Sequence, residues 1–273
     1  MTRRLLIAGG GTLLGASQLH ALGELGPPRP DDEGHASSIG AVNLALWACG
    51  RLGVLEAVWR SVRGVGDFQR LALFQALGDL LTRPLTHRGL FSLAPLRQLL
   101  REHFHPGDLR CDVYAVVVQL DAKAVHRVRL NNLDQAAAID AIIASCSQYP
   151  IHRYVEIGGH PCADGGIVAK VPVPPRSWWG KYSEAWALAT EPIDQPGRDH
   201  AIDANEVGPM RPVELQTDVN ERRSYLELRR LSQRLPTWLV QPAERPASPW
   251  DASSVGRLLD TVGPEAWAAR RSL

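Results

Sequence analysis

The chain has 273 residues, 45% of them hydrophobic and 22% charged, and a formal net charge of +1. This is the composition of a globular protein long enough to bury a substantial core, and its near-neutral balance excludes an electrostatic footprint for nucleic acid. Only Lys123, Lys170 and Lys181 are lysines, so neither a catalytic lysine nor a lysine-rich lipid anchor is expected, and no run approaches the ~18 consecutive apolar residues of a spanning helix.

Arg3 to Ala8, "RRLLIA", is an apolar run stopping at Gly9-Gly10-Gly11. It predicts a buried first strand, followed by a helix from about Gly15 to Leu25. The basic head and apolar centre outline a signal peptide, but three glycines disfavour the helix such a segment forms. A cytoplasmic location is therefore expected. "PPRPDDEG", Pro27 to Gly34, reads as a polar turn region. Apolar residues at helical spacing run from Gly40 to about Arg60, with Gly50 and Gly53 dividing them.

"DFQRLALFQALGDLL", Asp67 to Leu81, predicts an amphipathic helix, and Leu93 to Phe104 predicts another. Cys111 to Leu120 is β-branched and apolar, a central strand, with the alternating Ala124 to Leu130 as its neighbour. Leu133 to Cys146 is a helix whose alanines and isoleucines suit close packing on a sheet. "HRYVEI" and "GIVAKVPV" are strand candidates around a glycine turn, and "AWALATEP" is a last strand. Asn220 to Leu235 is helical, followed by a Pro-rich link and short helices. Strands alternating with helices predict a sheet covered on both faces. The expected organisation is one α/β domain over 1–210 with a helical C-terminal extension, 211–273, packed on it. Cys49, Cys111, Cys146 and Cys162 lack metal-site spacing and read as buried free thiols in a reducing compartment.

Three glycine-containing stretches offer chemistry. "GGGTLLG", Gly9 to Gly15, follows the first strand, where helix-start amides favour an anion. It lacks the G-x-G-x-x-G spacing of a dinucleotide site, and no P-loop is present. "ASSIG", Ala36 to Gly40, resembles the elbow G-x-S-x-G, which exposes a serine hydroxyl at a strand-to-helix turn. Ala36 then replaces the first glycine and Ser38 is the nucleophile, although Ser37 or Ser38 can equally cap the following helix. "ADGG" places Asp164 before two glycines that permit close backbone approach; the same residues also make an ordinary Asp-Gly turn. His152, His160 and His200 follow the serine, but none lies in a hydrolase-like turn.

The order of these parts resembles the patatin-like phospholipase family, from about Arg3 to Pro174. "LLIAGGG" with "LHALGELG" looks like its opening strand, glycine loop and first helix, and "SSIGAVNLALWACG" like its nucleophile elbow. "GLFSLAPLRQLL" looks like its middle segment, and "AIDAIIASCSQYPIHRYVEIGGHPCADGGIVAKVPV" like its closing helix, proline turn and aspartate block. The resemblance implies a three-layer sandwich with a mostly parallel sheet. It further implies a Ser38–Asp164 dyad hydrolysing lipid-type acyl esters without metal or organic cofactor. Gly9, Gly10 and Gly11 would form the oxyanion hole, and the protein would touch membrane surfaces transiently.

Several residues depart from that pattern. Leu13 and Leu14 stand where the family has a basic residue and a glycine, with Gly15 one place later. Lys170 replaces an asparagine common after Asp-Gly-Gly. "DDEG" precedes the elbow, and a buried strand cannot carry Asp31, Asp32 and Glu33 cheaply, so that strand is expected to be very short. These departures fit a divergent hydrolase or a catalytically silent module that binds lipid or a protein. "RSWWGKY" puts Trp178 and Trp179 either in the core or on a lipid-facing rim near the site.

Overall fold

The computed structural model describes residues 3–71, 89, 91–149, 151–190, 223–242, 255 and 271–272. Strand β1 (Arg4–Ala8) is the first apolar run. Its alternate side chains serve opposite faces: Leu6 and Ala8 enter one core, Leu5 and Ile7 the other. β2 (Glu33–Ala36) and β9 (Glu184–Leu188) flank it in parallel, and with both faces covered it is apolar from Leu5 to Ala8. Beyond β9 lie β10 (Thr237–Val240), parallel, and β11 (Arg271–Ser272), antiparallel. Beyond β2 comes β5 (Asp112–Gln119), parallel, then β8 (His160–Asp164) and β7 (Val155–Ile157), both antiparallel. β6 (Ala124–Arg129) pairs antiparallel with β5, as its alternation predicts. A separate ribbon joins β3 (Arg70–Leu71) to β4 (Phe91–Ser92).

One face of the sheet carries α1 (Ser17–Glu24), α2 (Ile39–Ala48), α3 (Leu52–Ser61), α4 (Ala94–His103) and α5 (Gln135–Ser145). Every residue of α2 is buried, the expected fate of a helix apolar on all sides. The other face is covered by the 3₁₀ segment Arg176–Lys181 and by α6 (residues 223–232), which contributes Leu228 and Leu231. The result is the expected α/β three-layer sandwich with a mostly parallel central sheet. Among the described residues no helix is long and apolar enough to cross a membrane. All four cysteines are buried and free.

Several elements differ from expectation. Gly50, with φ +71°, ends α2 in the left-handed conformation typical of helix stops. Gly53 lies inside α3 and divides nothing. "GIVAKVPV" is not a strand: β8 ends at Asp164 and the chain turns through a 3₁₀ segment, Gly165–Ile167. β10 is a strand within the extension expected to be helical, and its Trp238 pairs with Trp186 of β9. The helix expected over Asp67–Leu81 lies outside the described residues beyond Leu71.

The acidic stretch before the elbow is buried after all. β2 is short, but Asp32 and Glu33 are completely covered. Their cost is offset by complete pairing. Arg4 grips Asp32 with Nε at 2.9 Å and Nη2 at 2.7 Å. Glu33 receives Lys181 Nζ at 2.9 and 3.0 Å, Arg3 Nη2 at 2.7 Å, His35 Nε2 at 3.0 Å and the Tyr182 hydroxyl. Burial alone would raise the Glu33 carboxyl; the hydrogen bonds from His35, Tyr182 and Lys181 outweigh it and hold the group at about 2. Trp178 packs over His35 and Tyr114, with Lys181 Nζ 4.2 Å from its ring, and Trp179 is buried with its indole donating to Pro174 O. Both tryptophans belong to the face opposite α2, so core packing is their role and not a rim around Ser38.

Candidate active site

Ser38 sits where β2 turns into α2, with φ +54° and ψ −134°. A non-glycine residue seldom adopts this conformation, and the surrounding structure must hold it there. Ala36 belongs to β2 and has no positive φ, so an alanine in the place of the elbow's first glycine strains nothing. The turn is tight: a Cβ on Gly40 would stand 2.5 Å from Gly9 O and 2.7 Å from Ala8 O. Neither serine caps α2. The Ser37 hydroxyl donates to Lys170 O at 3.3 Å, and Ser38 makes no side-chain bond to the helix start.

Asp164 is the last residue of β8. Its Oδ1 accepts the Gly166 N–H at 2.7 Å, and its carboxyl is also hydrogen-bonded to the Ser38 side chain. Complete burial pushes this carboxyl up; the bonds from Gly166 and Ser38 oppose the rise, and the group lies at about 7.

The sheet explains why residues 126 positions apart in sequence meet. β6 occupies one edge of β5 along 114–119, so β2 and β8 must share the other. β2 ends there at Ala36 opposite Ala115, and β8 ends at Asp164 opposite Val117. Two strand ends therefore face each other across Val116, and the elbow serine and the aspartate emerge at the same gap.

The glycine loop lies alongside. A Cβ on Gly10 would fall 2.8 Å from Ser38 Cβ, so only glycine brings backbone this close to the serine. The expected oxyanion donors are only partly available. The Gly9 N–H donates to Leu188 O at the end of β9 at 2.9 Å, and the Gly10 N–H to Lys170 O, on the chain after β8, at 3.0 Å. No acceptor among the described residues faces the amides of Gly11 and Thr12, at the start of the 3₁₀ turn Thr12–Ala16. Thr12, with φ +50°, shares a cleft with Ser38 and was not singled out by the sequence. Lys170 reaches the loop through its backbone, so its replacement of asparagine leaves that contact intact. Leu13 and Leu14 are buried in the core.

A buried polar chain fixes the loop. Trp59 Nε1 donates to Asn43 Oδ1 at 3.1 Å; Asn43 Nδ2 donates to Gly15 O at 2.9 Å and Gln18 Oε1 at 3.0 Å; Gln18 Nε2 donates to Gly9 O at 2.8 Å and Leu188 O at 3.0 Å. A satisfied network of this kind makes one arrangement strongly preferred.

The cleft in front of Ser38 is half open, with apolar walls from Ile39, Val65, Phe68, Leu93 and Leu96. His152 is on its wall, but Nε2 meets Gln69 Oε1 at 2.5 Å and Nδ1 accepts the Gln148 N–H at 3.2 Å. Burial lowers it to about 4, so it is neutral and already engaged.

The site thus brings together a strained serine at a strand-to-helix turn, a buried carboxyl and a glycine loop. The model of the patatin-like phospholipases matches residues 5–176, more than half of the chain, and the chain belongs to that family. Membership supports lipid-hydrolase or esterase-like activity in general. No curated protein matches. Among solved structures, the crystal structure of VipD from Legionella pneumophila aligns at 13% identity and a TM-score of 0.38, over 95% of this chain and 67% of that one.

Proposed function

We propose that this protein is a serine acyl hydrolase acting on lipid-type carboxylic esters, with Ser38 as nucleophile and Asp164 as its base. The observation that carries the reading is the hydrogen bond between the Ser38 side chain and a fully buried carboxyl whose pKa is about 7. A serine hydroxyl needs a base, and a base works best when its pKa lies near the working pH. An unperturbed aspartate near 3.9 would be a poor one; burial corrects this without a histidine.

In the first step Ser38 Oγ attacks the ester carbonyl carbon while its proton passes to the Asp164 carboxylate. The tetrahedral oxyanion is met by the amides of Gly11 and Thr12, which meet no acceptor among the described residues. The intermediate collapses, the C–O bond to the alcohol breaks, and the alcohol leaves with the proton from Asp164. Water then attacks the acyl-serine, giving a proton to Asp164; the C–O bond to Ser38 Oγ breaks, Oγ takes that proton back from Asp164, and the carboxylic acid is released. The apolar cleft suits an acyl chain, whose burial contributes about 0.8 kcal/mol per CH₂.

One observation favours a silent lipid- or protein-binding module instead: the amides of Gly9 and Gly10 are already taken, which reduces the anion hole. A fluorophosphonate probe separates the readings. Covalent labelling that is lost in Ser38→Ala and kept in Ser37→Ala supports the hydrolase. Absence of labelling, with no turnover of short or long acyl esters and intact binding to lipid vesicles, establishes the silent module.

A further inference from the structure

Between the facing ends of β2 and β8, the hydroxyl of Ser145, at the end of α5, reaches the central strand: Oγ donates to Val116 O at 2.7 Å. The same oxygen accepts the Ser38 N–H at 3.0 Å, and the Ser145 carbonyl shares that N–H at 2.9 Å. Two residues on, Ser147 O accepts the Asp164 N–H at 2.9 Å. Ser145 is completely buried. One helix end thus holds the backbone of both residues that emerge at the gap.

We propose that Ser145 is a positioning residue that clamps the strained Ser38 backbone to the end of β8, and so sets the hydrogen bond between Ser38 and Asp164. This rests on the dyad reading for its catalytic consequence, though not for its structural one. A hydroxyl is required because one group must donate to Val116 O and accept from Ser38 N simultaneously. Alanine removes a donor from the buried carbonyl and gives Ser38 one fewer acceptor to hold its positive φ. Small displacements of a nucleophile lower rates steeply, by up to about a hundredfold per ångström.

The test compares wild type, Ser145→Ala and, as a matched loss of a buried hydroxyl elsewhere, Thr237→Val on β10. Amide hydrogen exchange at Ser38 is measured first, under conditions where each variant is folded by circular dichroism. Exchange at least about tenfold faster in Ser145→Ala, and unchanged in Thr237→Val, supports the clamp. Equal exchange in all three overturns it, whether or not the protein is an enzyme. Fluorophosphonate labelling is measured next. A fall of about ten- to a hundredfold in Ser145→Ala, with the labelling pKa moved upward, is expected, because a weakened Ser38 bond removes a contact that lowers the Asp164 pKa. Full-rate labelling with an unshifted profile overturns the catalytic role. Lack of labelling in wild type strikes the dyad reading and with it this role, while the exchange result still decides the clamp.

Discussion

Ser38 and Asp164 leave two strands that end head to head on one edge of β5, opposite Ala115 and Val117, with Val116 between them. A parallel strand and an antiparallel strand approach from opposite directions, so both C-terminal ends reach the same point. The separation of the two side chains is thereby set by the register of the central sheet. The strained turn that carries Ser38 two residues past the end of β2 sets the rest.

The first consequence concerns pH. With Asp164 at about 7, the carboxylate needed as base forms as the pH rises through neutrality. The rate of fluorophosphonate labelling should rise about tenfold per pH unit below that point and level off above it. A profile already flat from pH 5 to 8 would mean that Asp164 is not the base.

Asp164→Asn should separate activity from stability. Labelling should fall by about 10²–10⁴-fold, the usual contribution of a general base. Stability should move the other way at alkaline pH. The folded carboxyl holds its proton up to about 7, the unfolded one only up to 3.8. The stability linked to that proton is full below 3.8 and is lost as pH rises through 7, up to about 4 kcal/mol for a shift of this size. Asparagine escapes the loss, so the variant should unfold at higher denaturant than wild type at pH 8 and show no such advantage at pH 4.

Glu33 predicts the opposite pH sign. Its folded pKa of about 2 lies below the ordinary 4.5, so its stabilisation is present above 4.5 and is lost as pH falls through 2. Glu33→Gln should cost about 3 kcal/mol at pH 7, because a buried cluster loses the carboxylate that pairs with Lys181 and Arg3. Denaturant titrations at pH 7 and pH 2 should show the gap between the two proteins narrowing at the lower pH.

Gly40→Ala tests the closeness of elbow and loop. The new methyl would meet two backbone carbonyls, Gly9 O and Ala8 O, which cannot rotate away. A loss of about 1–3 kcal/mol is expected, together with slower labelling as the loop is displaced from Ser38. Gly53→Ala, inside α3 with open space around its Cβ position, should instead stabilise by roughly 0.5–1 kcal/mol. Thermal melts of the two variants give the comparison.

Much of this protein is determined locally. The run Leu5–Ala8, the β-branched Val116–Val118 and the alanines and isoleucines of α5 declare their elements through periodicity, which depends only on which faces must leave water. The glycine loop, the elbow and Asp164 were likewise visible as residue types with the turn chemistry such positions need. Choosing Ser38 over Ser37, and catalysis over capping, needed their order along the chain. Other features arise only from neighbours distant in sequence. The burial of Asp32 and Glu33 depends on Arg4, Arg3, Lys181 and Tyr182 arriving from other strands and from the far side of the sheet. The occupied amides of Gly9 and Gly10 depend on β9 and on the chain at Lys170. The contacts of Ser145 with Val116 and Ser38 exist because the end of α5 packs against the gap where two strands stop on one edge of β5. Residue type and spacing can specify which groups carry chemistry; their partners, pKa values and separation follow from strand register, which is settled only when the whole sheet forms.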